Sequence, residues 1–434
     1  MNKQILKLAI PSILANITIP LVGLVDTAIV GHIADASIIG GIAVGTMLFD
    51  LLYWNFGFLR VGTSGMTAQA YGRRDSSECT ALLTQSLAIT AAATALIWLL
   101  QWLFVTAALA CIPCSDAVAD FARRYFFVRI WAAPATLALM ALKGWFIGMQ
   151  DAVSPMACDI VVNVVNMAAS YGLAVHTPMG AIGVAYGTLI AQYTGLALAG
   201  CFLLVKYRPY LPALGRIREM VRWRQMRQLL SLNGNLFIRS LCFMIVYVGF
   251  TSIASDYGDQ MLALSSILMK LFMLFSYFVD GFAYAGEALV GKAIGERQPI
   301  NRVVRLLFNW SIGVGLLFTL LYAVWGTDCV RLITTEQPLL DALPPFLPWL
   351  ITMPIVSTLA FMWDGIYVGA TAGKPIRDAM IWAAVGFVLA YVILAPWWGI
   401  QALYVAYFVH LAARVIYLTA KYPQLGIAPS PEKQ

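Results

Sequence analysis

The chain has 434 residues, of which 61% are hydrophobic and 11% are charged, and its mean hydropathy is +0.80. A soluble protein carries about 25% charged residues, so this composition excludes a soluble globular fold. The formal net charge of +7 comes largely from the loops between apolar segments and does not indicate nucleic-acid binding.

Apolar runs recur from one end of the chain to the other, and each can cross a hydrocarbon core of about 30 Å. We therefore predict an all-α polytopic membrane protein with twelve transmembrane helices. The first apolar segment has no small-residue cleavage site, so we expect it to be a retained span. The predicted spans are 4–31, 36–70, 77–108, 117–147, 156–176, 181–206, 226–255, 259–291, 300–327, 336–369, 376–397 and 399–421.

Lys and Arg residues are concentrated in alternate loops. With the N-terminus inside, the predicted cytoplasmic segments hold 19 of the 28 Lys and Arg residues, and six lie within spans. The external loops hold three, Arg123, Arg124 and Arg331. Positively charged loops stay on the cytoplasmic side, so we predict that both termini are cytoplasmic.

Asp26 lies inside the first span, where a carboxylate costs about 2.5–3.5 kcal/mol on insertion scales. That cost indicates a function such as binding a cation or carrying a proton. The alternative is that Asp26 reaches the nearby aqueous surface. The first span supplies no basic partner within two turns. Pro11 and Pro20 each remove a backbone hydrogen bond and are candidate kink positions.

Asn163 and Asn166 in the fifth span are three residues apart, so they share one helix face. We predict that they hydrogen-bond the Asp26 carboxyl and form a proton or cation site with it. The alternative is that they join neighbouring helices, an interaction that averages about 0.6 kcal/mol.

The two halves of the chain resemble each other. Residues 67–74 match residues 290–297, and residues 145–148 match residues 366–369, at nearly constant offsets of 223 and 221. Each half holds an even number of spans, so we predict two six-helix bundles related by a pseudo-twofold axis along the membrane normal. The predicted domains are an N-terminal lobe (1–206), a basic cytoplasmic linker (207–225) and a C-terminal lobe (226–434).

Methionines and aromatic residues occupy corresponding positions in the second and eighth spans. Such side chains adapt to varied apolar and cationic ligands, although ordinary packing also explains any one of them. The candidates for a substrate cavity are Met47, Tyr53, Met269, Met273, Phe275 and Tyr277. A secondary charged network comprises Arg60, Asp280, Glu287 and Asp364, and mutual neutralisation is the alternative explanation for it.

The sequence contains no pattern typical of an enzyme or a metal site. Seven cysteines follow no zinc-binding spacing, and whether Cys111 and Cys114 form a disulfide stays open. The three histidines are scattered, so we predict no metal site and no cofactor.

Four motifs resemble the multidrug and toxic compound extrusion (MATE) family, and within it the DinF-type branch. They are Val25-Asp-Thr-Ala-Ile-Val-Gly-His-Ile33, Gly57-Phe-Leu-Arg-Val-Gly-Thr-Ser-Gly-Met-Thr-Ala-Gln-Ala70, Asp280-Gly-Phe-Ala-Tyr-Ala-Gly-Glu-Ala-Leu-Val-Gly-Lys-Ala-Ile-Gly295 and Asp364-Gly-Ile-Tyr-Val-Gly-Ala-Thr371. The resemblance covers essentially the whole chain. It implies a two-lobed antiporter that exports cationic, amphipathic compounds in exchange for H⁺ or Na⁺, with Asp26 as the protonation and cation site.

One position departs from the family pattern. Several relatives carry a second carboxylate four residues after the asparagine that matches Asn166, and here that residue is Ser170. Because serine cannot carry the proton, we favour H⁺ over Na⁺, with Asp26 titrating alone. We thus expect a monomeric, proton-coupled exporter of small molecules in a bacterial inner membrane. The alternatives are a Na⁺-coupled multidrug exporter, an organic-anion (citrate-like) exporter that uses Arg60 and Arg239, and a lipid-linked precursor flippase.

Overall fold

A computed structural model describes residues 1–33, 36–112, 114–211, 219–221 and 223–425. Within this part of the chain, twelve helical segments are long and apolar enough to cross a membrane, which confirms the predicted all-α fold and number of spans. These segments are Asn2–Gly23, Ser37–Gly72, Ser76–Cys111, Asp116–Gly148, Val153–His176, Ile182–Lys206, Met226–Asp256, Asp259–Gly295, Asn301–Arg331, Pro344–Gly369, Gly373–Trp398 and Gln401–Gln424.

The α-helices of the described residues are numbered in chain order. They are α1 (Asn2–Ile33), α2 (Ala36–Trp54), α3 (Phe58–Gly72), α4 (Ser76–Cys111), α5 (Asp116–Arg129), α6 (Ala133–Gly148), α7 (Val153–His176), α8 (Ile182–Lys206), α9 (Trp223–Asp256), α10 (Asp259–Gly295), α11 (Asn301–Arg331), α12 (Gln337–Ala342), α13 (Leu347–Gly369), α14 (Gly373–Trp398) and α15 (Gln401–Lys421). Short 3₁₀ turns occupy Ile130–Ala132, Arg208–Tyr210, Pro344–Phe346 and Tyr422–Gln424.

Three of the predicted continuous spans are each built from two helices. The tenth, 336–369, contains α12 and α13 with the 3₁₀ turn Pro344–Phe346 between them. The second span is interrupted by a turn at residues 55–57, and the fourth by the 3₁₀ turn Ile130–Ala132. Pro134 lies in the first turn of α6 and has no N–H to donate to the preceding turn, which accounts for the break in the fourth span. The break leaves Arg129 at the last position of α5.

The chain divides into two compact units. The N-unit comprises Leu14–Leu230, and the C-unit comprises Met1–Ile13 together with Ser231–Gln434. The division passes through α1, so the first half of this helix packs with the C-unit, where Ala9 and Ile13 contact Gly281. The second half, which carries Asp26, belongs to the N-unit.

Each unit contains a pair of helices in very close contact through glycines, and these two pairs correspond to each other. In the N-unit, a Cβ added to Gly144 of α6 would lie 2.2 Å from the Arg60 carbonyl oxygen of α3. In the C-unit, a Cβ added to Gly365 of α13 would lie 2.4 Å from the Ala283 carbonyl oxygen of α10. Each glycine is followed by another four residues later, the small-residue spacing that lets membrane helices approach closely. The equivalent contacts recur at the offsets of the sequence repeat.

Four helix ends share one backbone arrangement at positions that also follow the repeat. Arg74, Gln150, Arg297 and Thr371 have positive φ angles of 58°, 64°, 56° and 54°. In each case the following residue donates its N–H five residues back, for example Asp75 to the Ala70 carbonyl and Gln298 to the Ala293 carbonyl. This is the hydrogen-bond pattern of a Schellman cap, which satisfies the last carbonyls of the helix.

The loop between α6 and α7 is attached to the end of α8 through Asp151, a residue outside the spans and 7% exposed. Asp151 Oδ2 accepts hydrogen bonds from Lys206 Nζ at 2.6 Å and from the Tyr207 hydroxyl at 2.8 Å. Ser154 donates both its backbone N–H and its hydroxyl to the same carboxylate. Burial alone would raise the pKa of Asp151, but these hydrogen bonds outweigh it and hold the pKa below its ordinary value.

The predicted basic linker lies partly outside the described residues, since 212–218 and 222 are not among them. In its described part, the Met220 carbonyl accepts a hydrogen bond from Gln85 Nε2 of α4 at 3.0 Å. Cys111, the last residue of α4, and Cys114, in the loop that precedes α5, are free thiols.

Candidate functional site

Asp26 lies on α1 beside an apolar cluster of the N-unit. Its neighbours on the helix, Val25 and Ile29, pack into this cluster, and the Asp26 side chain is half-buried. The Oδ1 atom is buried and accepts no hydrogen bond from any residue in the described ranges. A buried carboxylate oxygen without a donor is costly, because desolvation of the negative charge is not compensated. Protonation removes that cost, so the position suits a group that exchanges a proton.

Arg129 of α5 is the cation that faces Asp26, and the charge argument from sequence missed this pair. The guanidinium interacts electrostatically with both Asp26 and Asp50. It lies 4.7 Å from the centre of the Phe49 ring and donates a hydrogen bond to the Tyr125 hydroxyl at 3.2 Å. Arg129 is one of the six basic residues within spans, so the sequence shows that a buried cation is present but not which carboxylate it faces. The partner depends on the packing of α1, α2 and α5.

The two predicted asparagine partners bind elsewhere in this structure. Asn163 Nδ2 donates to the Thr18 hydroxyl of α1, and Asn166 Nδ2 donates to the Thr188 hydroxyl of α8 at 3.0 Å. The expected hydrogen bonds to Asp26 are therefore absent among the described contacts. The physical reason is that each asparagine has a threonine hydroxyl directly opposite it on an adjacent helix.

The contact between Asn163 and Thr18 sets the register of α7 along α1. These are the fifth and first spans, so they run in the same direction. At about 1.5 Å per residue, Asp26 lies about 12 Å beyond Thr18, a height that Ser170 reaches on α7. Ser170 is fully buried, and its hydroxyl would lie 2.4 Å from a Cβ added to Gly187 of α8. The close approach of α7 and α8 thus leaves space for serine at this position but not for a carboxylate.

The two candidate kink positions lie within a continuous helix. α1 is helical from Asn2 to Ile33, through both Pro11 and Pro20. The hydroxyls of Ser12 and Thr18 donate to the carbonyls of Leu8 and Ala15. These acceptors are neighbours of Lys7 and Asn16, whose carbonyls lose the usual intrahelical donor because Pro11 and Pro20 have no N–H.

The predicted cavity residues fall into two groups. Met47 is 56% exposed, while Tyr53, Met273 and Tyr277 are half-buried. In contrast, Phe275 is fully buried against Phe272 and Phe318, and Met269 is 5% exposed. The last two belong to the packed core of the C-unit, so the expectation that they line a cavity needs correction. They lie on the inward face of α10, which helical periodicity alone does not distinguish from a cavity face.

The predicted charged network is distributed over several separate contacts. Asp364 of α13 binds Arg414 of α15 at 2.6 Å and Arg239 of α9 at 3.5 Å. In the N-unit, Lys143 of α6 pairs with Asp159 of α7. The other three predicted members, Arg60, Asp280 and Glu287, each make a polar or electrostatic contact, and Glu287 is 3% exposed. Arg414 is a further residue that the sequence reasoning did not name.

Comparison with known proteins gives the family of the chain. The MatE family profile matches residues 11–172 and again residues 236–397. DNA damage-inducible protein F of Escherichia coli is 36% identical over 96% of this chain and 91% of its own length. A probable multidrug resistance protein NorM of Caulobacter vibrioides is 26% identical, with 91% of this chain and 84% of that protein covered.

Solved structures share the fold. A crystal structure of MATE in the straight conformation superimposes with a TM-score of 0.88 at 18% identity, covering 98% of this chain and 96% of that one. An outward-facing multidrug resistance MATE family transporter of the MOP superfamily gives a TM-score of 0.85 at 19% identity, with 98% and 95% covered. The two matches to one family profile, the relative and the shared fold show that this chain belongs to the MATE family of multidrug and toxic compound efflux transporters.

Proposed function

We propose that the chain is a proton-coupled antiporter that exports cationic, amphipathic compounds by alternating access. In this proposal it resides in a bacterial inner membrane with both termini in the cytoplasm. Asp26 is the carboxyl that takes up and releases the coupling proton.

The observation that carries the proposal is the environment of Asp26. Its Oδ1 is buried and has no hydrogen-bond donor among the described residues, and the opposing cation, Arg129, is shared with Asp50. A carboxyl that is neither fully neutralised nor solvated can change its protonation state at a small energetic cost. Asp159, by contrast, forms an ion pair with Lys143.

The function of Asp26 in the transport cycle follows from the balance of charge between Asp26, Asp50 and Arg129. When Asp26 is deprotonated, its charge and that of Asp50 exceed the single charge of Arg129, so the site attracts a cation. When Asp26 is protonated, the attraction is lost and a bound cation is released. Alternate protonation therefore couples proton entry to the release of a cationic substrate.

The serine at position 170 supports H⁺ over Na⁺. Na⁺ prefers several oxygen ligands, as other hard cations do, and a second carboxylate would provide them. Ser170 is neutral and packs against Gly187 of α8, so it adds no negative charge near Asp26. One carboxyl is sufficient for a proton.

The test is efflux of a cationic dye, rhodamine 6G, from proteoliposomes under an imposed pH gradient and, separately, an imposed Na⁺ gradient. We expect the pH gradient alone to drive efflux, and we expect Asp26→Asn to abolish it while the protein stays folded. Asp120→Asn, at an exposed carboxylate of the same unit, is the matched control and retains efflux. Wild-type efflux by Asp26→Asn would refute the proposal, and efflux driven by Na⁺ alone would replace H⁺ as the coupling ion.

A further inference from the structure

The C-unit contains a buried cluster of charges in which cations outnumber anions. Asp364 Oδ2 contacts Arg414 Nη2 at 2.6 Å and Arg239 Nη1 at 3.5 Å. The cluster is held by three helices, since Arg239 lies on α9, Asp364 on α13 and Arg414 on α15. Two guanidinium groups thus share a single carboxylate, which leaves one positive charge without a counter-charge in the cluster.

Several hydrogen-bond donors of the two arginines have no partner. Arg414 is 2% exposed, and its Nε and Nη1 atoms are buried without an acceptor among the described residues. Nε of Arg239 is in the same condition. An arginine has five N–H donors in a planar fork, and a buried donor left unsatisfied costs about 1–3 kcal/mol. Asp280 and Glu287 of α10 each make a polar or electrostatic contact.

The cluster lies against aromatic side chains, and two of its three side chains are partly exposed. The Arg414 guanidinium lies 5.8 Å from the centre of the Phe361 ring, and His410, one turn before it on α15, is fully buried. The side chains of Arg239 and Asp364 are 24% and 17% exposed, so the cluster is accessible from their side. The low dielectric strengthens attraction for an anion and makes an uncompensated positive charge costly.

We propose that the Arg239–Asp364–Arg414 cluster is an anion site that binds the carboxylate group of a small organic acid. A carboxylate offers two oxygens in the geometry that guanidinium groups recognise, and it supplies both the missing negative charge and the missing acceptors. The ring of Phe361 provides an apolar surface for the body of such a ligand. This site is independent of the coupling ion and of Asp26, which lies in the other unit.

The roles of the three residues differ in sign, and this difference gives the test. Arg239 attracts the anion, whereas Asp364 competes with it for the same guanidinium groups. Removing the Arg239 charge must weaken binding, and removing the Asp364 charge must strengthen it. A site that merely holds the helices together would be damaged by both changes alike.

The experiment is titration calorimetry of the purified full-length protein in detergent with benzoate, at constant ionic strength. Benzylammonium, which has a similar size and the opposite charge, is the comparison ligand. The variants are Arg239→Gln, Asp364→Asn and, as a control at an exposed arginine of the same unit, Arg331→Gln. Thermal unfolding of each variant is measured in parallel. Arg239→Gln is preferred to a change at Arg414, because the partly exposed side chain is less essential for folding.

We expect saturable benzoate binding to the wild type and to Arg331→Gln, and no binding of benzylammonium at the same site. Arg239→Gln should weaken benzoate binding by about tenfold or more, since one charged hydrogen bond contributes at least about that factor. Asp364→Asn should tighten it. Three results would overturn the proposal: no saturable binding to the wild type, competition by benzylammonium, or equal weakening in Arg239→Gln and Asp364→Asn while both variants remain folded.

Discussion

Replacing Gly144 by alanine tests the close contact between α3 and α6 in the N-unit. The new Cβ would lie 2.2 Å from the Arg60 carbonyl oxygen and 2.9 Å from the Arg60 carbonyl carbon. Both atoms belong to the backbone, so no side-chain rotation can relieve the contact. The helices must separate by about 1 Å to restore a normal carbon–oxygen distance.

The magnitude follows from what that separation disturbs. Inserting an extra carbon into a well-packed core costs about 1–3 kcal/mol. Here the clash is with backbone, and moving α6 away from Arg60 also loosens the adjacent contact between Gly148 and Thr67, where an added Cβ would lie 2.5 Å from Thr67 Cβ. We therefore expect Gly144→Ala to destabilise the protein by about 3 kcal/mol, at the upper end of that range. Gly365→Ala in the C-unit should have a similar effect, since its Cβ would lie 2.4 Å from a backbone oxygen.

The assay is thermal or denaturant unfolding of the purified variants in detergent. Gly200→Ala is the matched control, because Gly200 is also helical and an added Cβ would meet nothing within 4 Å. Alanine should stabilise the helix there by about 0.5–1 kcal/mol. The reasoning is refuted if Gly144→Ala is as stable as Gly200→Ala, because the close approach of α3 and α6 would then not exist.

Three further predictions concern charged residues. Asp151→Asn should lower the free energy of unfolding at neutral pH by about 2–4 kcal/mol, through loss of charged hydrogen bonds. The pKa of Asp151 is lowered in the folded state, so its contribution to stability is present above the unfolded pKa of about 4 and disappears as the pH falls below that value. A stability difference between variant and wild type that persists undiminished at lower pH would contradict this. Arg129→Gln removes the cation facing Asp26, which favours proton uptake there, so half-maximal dye efflux should move to higher pH; an unchanged pH profile would exclude this role. Lys143→Met should destabilise the N-unit by about 3–5 kcal/mol in unfolding measurements because it leaves Asp159 unpaired. Adding Asp159→Leu should recover most of that loss, and a double variant no more stable than the single one would argue against the ion pair.

Much of the fold follows from local properties of the sequence. Hydropathy predicts twelve spans because a membrane helix must satisfy its backbone internally and cover about 30 Å of hydrocarbon. The repeat in the sequence has a physical counterpart in the paired glycine contacts at Gly144 and Gly365. It also has one in the matched caps at Arg74 and Arg297. The breaks within the second and fourth spans were missed because hydropathy remains high across a short turn.

The partners of the polar residues were less predictable. Asn163 and Asn166 were correctly placed on one face of a helix, but which hydroxyl each would meet depends on how α7 is positioned between α1 and α8. In the same way, Arg129 and Arg414 were counted among the six basic residues within spans but not assigned to a site. Ion pairs between helices depend on packing, which spacing along one helix does not reveal. In the structure, Arg129 interacts with Asp26 and Asp50, and Arg414 binds Asp364.

The central claim is that Asp26 is the carboxyl that exchanges the coupling proton. It is tested most directly by counting protons released when rhodamine 6G binds to the purified protein in a weakly buffered detergent solution. We predict that the wild type and Asp120→Asn release protons on binding the dye, and that Asp26→Asn binds the dye without releasing any. Equal proton release by the wild type and Asp26→Asn would contradict the claim and place the exchanging group elsewhere in the chain.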